Sequence, residues 1–176
     1  MHSHYSYGQR PEMIWDAVRY LAAGIVEELD DRNFILVYSG MSGVATATAL
    51  SIYLHAEFPD VVFGMAYVRK DEEQSHGQAV ETSGKLTDLV MDMEVQGMQT
   101  VLVFVDDFIS SGDTARRTFK VPLNGRHIPR HDYQYMGAVT GMCSVARPKF
   151  VLPRQDAANF EIHDTVDELI RSYEFC

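Results

Sequence analysis

Cysteine is scarce in this chain. Cys143 and Cys176 are the only two in 176 residues, too few for a disulfide framework, and a reduced, cytoplasmic setting is expected. Long apolar runs are missing as well. No stretch reaches the roughly 18 consecutive apolar residues that a membrane-spanning helix needs. The first residues, Met1-His2-Ser3-His4-Tyr5, lack the basic-then-apolar order of a secretory leader, so none is expected. Positive charge is also in deficit: 15 Lys and Arg face 25 Asp and Glu, a formal net charge of −10. Phosphate neutralisation supplies most of the affinity for nucleic acid, so that class of partner is disfavoured. A small anion stays compatible where a few cations and backbone N–H groups converge. The chain does have a hydrophobic fraction of 46%, enough for a packed core. Neither repeat nor low-complexity tract nor linker divides the chain, and its length suits one domain over residues 1–176.

The periodicities predict alternating helices and strands. Ile14, Val18, Leu21, Ile25 and Leu29 recur at helical spacing behind Pro11, which predicts a helix over Pro11–Leu29. Phe34–Tyr38 reads as a strand, Ser39–Gly43 breaks it, and Val44–Glu57 reads as a second helix ending near Pro59. Further strands are expected at Val61–Val68, Thr100–Val105 and Tyr135–Thr140, with a helix from Gly112 onward. Leu86–Met98 suits either helix or strand, whereas Pro122–Asp132 and Arg147–Asn159 read as loops. Buried-looking strands alternating with helices predict an α/β fold, a mostly parallel central sheet flanked by helices. Ligands of such sheets bind beyond the carboxyl ends of the strands, which directs attention to the loops after Tyr38, Val68 and Val105.

Val101-Leu-Val-Phe-Val-Asp-Asp-Phe-Ile-Ser-Ser-Gly-Asp-Thr114 carries the strongest chemistry. Five apolar residues deliver Asp106 and Asp107 to a strand end. Alternation sends them to opposite faces, and an unpaired buried carboxylate costs several kcal/mol, roughly, so both are expected at the rim. Ser110, Ser111 and Thr114 add hydroxyls, Gly112 permits close backbone approach, and a helix then opens with Asp113 near its start. Backbone amides at a helix N-terminus suit a phosphate. Carboxylates beside such a cradle suit the hydroxyls of a sugar joined to it.

This segment resembles the signature of type I phosphoribosyltransferases, which bind 5-phosphoribosyl-1-pyrophosphate (PRPP). The resemblance implies that Asp106 and Asp107 contact the ribose hydroxyls, while Ser110, Ser111, Gly112, Asp113 and Thr114 cradle the 5′-phosphate. Phe108 departs from the smaller aliphatic residue usual there. Upstream, Ser39, Gly40, Met41, Ser42 and Gly43 form a turn that is neither a Gly-Lys-Ser/Thr phosphate loop nor a Gly-x-Gly-x-x-Gly fingerprint. It resembles the family's pyrophosphate-binding loop, which often holds a non-proline cis peptide. Tyr67-Val-Arg-Lys-Asp-Glu-Glu-Gln-Ser-His-Gly77 places Arg69 and Lys70 after a strand, then a polar stretch running to Gly84. In the family such a pair opens a flexible loop that closes over the reacting centre and excludes water. Arg69, Lys70, His76 and Gly77 are similar to the loop of orotate phosphoribosyltransferases. Here the loop lysine is replaced by acidic or polar residues, and His76 stands one position late.

The resemblance spans about Phe34 to Thr118 and implies a catalytic set of Asp106, Asp107, Arg69, Lys70 and His76. It implies transfer of a phosphoribosyl group from PRPP to a nucleobase-like ring nitrogen, with release of pyrophosphate. Mg²⁺ is expected to ride on PRPP oxygens and water rather than in a dedicated cluster of protein ligands. A homodimer and a small variable hood over the base are also implied. Candidates for the hood are Tyr5 and Tyr7, or Lys149-Phe150-Val151. Two other classes stay open: a PRPP-binding regulator of the same fold without transferase activity, and an enzyme whose acceptor is not a standard base.

Overall fold

The computed structural model describes residues 11–29, 32–70, 80–83, 86–97, 101–107, 112–124, 134–139 and 149–151. The first helix, α1 (Pro11–Leu29), buries the predicted stripe of Val18, Leu21, Ile25 and Leu29. It packs on α2 (Gly40–Glu57) through Ala47, Leu50 and Leu54. Together they cover one face of the sheet, meeting Phe34 and Leu36 of β1 (Phe34–Tyr38) and Val101, Val103 and Val105 of β4 (Val101–Asp106). Residues of the other parity, Ile35, Val37, Leu102 and Phe104, are equally buried and point to the opposite face. Here α3 (Leu86–Val95) packs on β2 (Phe63–Val68), and α4 (Asp113–Asn124) lies across β1, β2 and β4. The close approach of α3 depends on Gly64. A Cβ there would stand 2.9 Å from Leu86 Cδ1 and 3.1 Å from Leu89 Cδ2.

Among the described residues the sheet has six strands in the order β3-β2-β1-β4-β5-β6. β2, β1, β4 and β5 (Gln134–Val139) are mutually parallel, as the alternation of helix and strand predicts. β3 (Val80–Thr82) and β6 (Lys149–Val151) close the two edges in antiparallel pairing. The fold is thus α/β, a mostly parallel sheet covered by helices on both faces. Aromatic pairs mark its register: Phe34 stacks on Phe63 with centroids 5.6 Å apart, and Tyr38 meets Tyr67 at 5.7 Å.

Several boundaries differ from expectation, each for a local reason. α2 starts at Gly40 instead of Val44, because Met41, Ser42 and Gly43 already belong to the helix although they carry no apolar period. Leu86–Val95 is helical, which settles that ambiguous stretch. The polar segment after Val68 does not run as loop to Gly84: Val80–Thr82 returns beside β2, with Glu81 opposite Tyr67. Pro122 lies inside α4 and not in a loop; it lacks the N–H for a helical bond, and the helix ends two residues later. Lys149–Val151, a hood candidate, is the edge strand β6, while Tyr5 and Tyr7 lie outside the described residues. Among the described residues no helix is long and apolar enough to cross a membrane.

Candidate functional site

After β1 the chain moves outward to β2 and β3, then crosses back to place β4 on the other side of β1. The carboxyl ends of β1 and β4 therefore bound the point where strand order reverses, where an open α/β sheet leaves a crevice for ligands. The turn from β1 into α2 and the acidic end of β4 meet there. Ser42 Oγ donates to Asp106 Oδ1 at 2.9 Å, across 64 positions of sequence. Gly43 packs closely here, since a Cβ would lie 3.4 Å from both Tyr38 Cβ and the Val105 carbonyl oxygen, in contact with each.

Asp106 is not at the rim. It is the last residue of β4 and is only 6% exposed, while Asp107 is half-buried. Hydrogen bonding compensates the burial: Asp106 Oδ1 also accepts from the Asp107 backbone N–H at 2.9 Å. Burial is the main force raising the Asp106 carboxyl, and the Asp107 side chain adds to it. The Asp107 N–H and Ser42 hydroxyl pull in the other direction, and the balance lies at about 7. Asp106 can therefore keep a proton near neutral pH, which removes the cost of an isolated buried charge.

Ser39 occupies the N-cap position of α2 in extended conformation, yet its hydroxyl makes no capping bond. The first N–H groups of α2 have no partner within the helix, and the positive end of the helix dipole lies with them. Gly40 follows with φ of +70°. Lys70 lies directly over it, because a Cβ on Gly40 would be 3.0 Å from Lys70 Cε and 3.2 Å from Nζ. The ammonium and the start of α2 thus share one corner. Peptide bonds through Ser39–Gly43 are trans, unlike the conformation often found in the similar family loop. Met41 projects into solvent at the mouth, 84% exposed.

Arg69 is placed differently from Lys70. Its guanidinium pairs with Glu81 on β3, so the cation at the end of β2 is tied to the strand by which the polar segment returns. On the other side of the crevice Gly112, buried and at φ of 78°, opens α4, and its carbonyl accepts from Arg116 N–H at 2.9 Å. Asp113 faces solvent and approaches Arg116 at 3.6 Å, a surface pair. Thr114 is half-buried in the first turn. Ser110, Ser111 and His76 lie outside the described residues.

Sequence reasoning missed Arg117. From the second turn of α4 its guanidinium donates to Ser39 Oγ at 2.9 Å and to the Arg69 carbonyl at 3.4 Å. In the sequence it is one of two adjacent arginines on a polar helix, with nothing to separate it from its neighbour. Glu81 was missed as well, since only strand pairing brings it to Arg69.

No protein-family model and no curated protein sequence matches the chain. Among solved structures, two crystal structures of a hypoxanthine-guanine phosphoribosyltransferase from Bacillus anthracis match it, one with HEPES in its active site. Their TM-scores are 0.44 and 0.42, at 14% and 16% identity. Each match covers 72% of this chain and 65% of the neighbour, so the chain spans less than two thirds of that protein's length.

Proposed function

We propose that this chain binds PRPP at the β1–β4 switch point and transfers its phosphoribosyl group to a nucleobase-like ring nitrogen, releasing pyrophosphate. The observation that carries this reading is the Ser42–Asp106 hydrogen bond. It joins the turn suited to a diphosphate and the acids suited to a ribose in one crevice, as the ligand's covalent structure requires. In the reaction the C1–O bond to pyrophosphate breaks as a C1–N bond forms, through a transition state with oxocarbenium character. Positive charge grows on the sugar beside Asp106 and Asp107. Negative charge grows on the leaving diphosphate beside the α2 amides and Lys70. Preorganised groups of this kind contribute several kcal/mol, roughly.

Ser42 Oγ and Asp106 Oδ1 are engaged with each other, so Mg²⁺ would be held mainly by the PRPP oxygens and water. When bound, Mg²⁺ would offset charge on the diphosphate. His76, Ser110, Ser111, Asp113 and Thr114 complete the proposed site, as flap and 5′-phosphate cradle. The proposed active unit is a homodimer.

The deciding experiment is pyrophosphate release from PRPP and Mg²⁺ across a panel of purine and pyrimidine bases. Base-dependent release is expected. The Arg69–Glu81 pair favours a second reading, a PRPP-binding regulator, because it already pairs Arg69, a cation of the implied catalytic set, with a carboxylate. Tight PRPP binding without release for any base would select that reading and remove the transferase.

A further inference from the structure

We infer, on the PRPP reading of this corner, that Arg117 is a positioning residue that keeps the start of α2 open to an anion. A serine at an N-cap ordinarily turns its oxygen onto the N–H of the second or third helical residue, here Met41 or Ser42. Ser39 has the extended backbone of an N-cap and is 2% exposed, but makes no such bond. Its Oγ instead accepts from Arg117 at 2.9 Å. A second N–H of the same guanidinium reaches the Arg69 carbonyl at 3.4 Å, at the root of the polar segment after β2. The rigid fork of arginine suits this double contact; a lysine ammonium lacks that fixed geometry.

The arrangement acts on the site in two ways. The amides of Met41 and Ser42 stay uncapped by the Ser39 side chain, so an anion does not have to displace it. The turn after β1 and the segment after β2 are also held at a fixed spacing, with Lys70 beside Arg69 and above Gly40. Without Arg117 the Ser39 hydroxyl is released to cap α2 and competes with the ligand for the same N–H groups.

The test is a double-mutant cycle of Arg117→Ala and Ser39→Ala in the full chain, read by calorimetric titration with PRPP and Mg²⁺. Hydrogen exchange of the Met41 and Ser42 amides is followed in the same proteins without ligand. Arg117→Ala is expected to weaken PRPP roughly 5- to 30-fold, the factor a competing cap of ordinary strength imposes. In the Ser39→Ala background the same substitution is expected to cost several-fold less, because no hydroxyl remains to compete. Exchange at Met41 or Ser42 should slow in Arg117→Ala and not in the double variant. Equal losses of affinity in both backgrounds would reduce Arg117 to a nearby charge, and unchanged or faster exchange would overturn the capping switch. If the wild-type protein binds no PRPP, the ligand reading fails, and the exchange result alone decides the role of Arg117. Should Arg117→Ala fail to fold, Arg117→Gln, whose single amide group reaches only one of the two acceptors, is expected to show the same pattern in weaker form.

Discussion

Replacing Asp106 by Asn should make the protein more stable at alkaline pH and nearly inactive. Asp106 is buried, and its carboxyl is raised from 3.8 to about 7. Between those values the folded protein holds a proton that the unfolded chain has released. Stability is therefore fully present below the unfolded value and declines as pH rises to the folded one. At about 1.4 kcal/mol per unit, the interval is worth roughly 4 kcal/mol once pH exceeds 7. Asn does not titrate, and its amide oxygen can still accept from Ser42 Oγ and the Asp107 N–H, the two bonds that Oδ1 now receives.

The variant's advantage over wild type should grow by roughly 3 kcal/mol between pH 5 and pH 8. For a chain of this size that is a relative gain in melting temperature of about 10 °C. Thermal and denaturant unfolding of both proteins at the two pH values measure it directly, and other titrating groups cancel in the difference. Activity should move in the opposite direction, with kcat/KM falling about 100-fold or more as charge stabilisation at the sugar is lost. A stability difference that does not change with pH would refute the assignment of the buried proton to Asp106. A variant less stable than wild type at pH 8 would refute it too.

Three other perturbations separate the site from its scaffold. Gly40→Ala forces a side chain into left-handed backbone at φ of +70° and against Lys70; it should cost about 1–2 kcal/mol in unfolding and weaken PRPP in titration. Gly64→Ala places a methyl group against Leu86 and Leu89 on the far face of the sheet. It should lower stability by about 1–3 kcal/mol while PRPP affinity at permissive temperature stays unchanged. Glu81→Gln removes the charge that pairs with Arg69, and PRPP should then bind several-fold more tightly at low salt, with the gain shrinking as salt rises.

Those perturbations also divide what the sequence reveals from what only the assembled sheet can reveal. α1 and β1 were legible to the residue because an apolar stripe and an apolar run each follow one period. The mostly parallel sheet followed from the alternation of helix and strand. β3 and β6 were not legible: each has three residues, and Val80-Glu-Thr82 or Lys149-Phe-Val151 becomes a strand only because a neighbouring edge accepts it. The same distinction holds inside the site. Asp106 and Asp107 stand out as a pair, but their unequal burial depends on β4 continuing to Asp106, opposite Val139 of β5. Arg117 and Glu81 carry no local signal, since each acquires its role from a partner on another element.

The unequal burial has a mechanistic consequence. Two carboxylates side by side repel each other when both are ionised, and the less solvated one holds the proton. Asp106, deep in the crevice and bound to Ser42, fits that role. Hydrogen bonds from ribose hydroxyls would favour its ionised form, so PRPP binding should release a proton below pH 7 and tighten as pH rises toward 8. The positive charge that develops on the sugar would then meet a carboxylate ionised by the arrival of the ligand. On this account the first acid at the end of β4 is largely neutral in the empty protein below pH 7, and there the ligand that needs its charge also generates it.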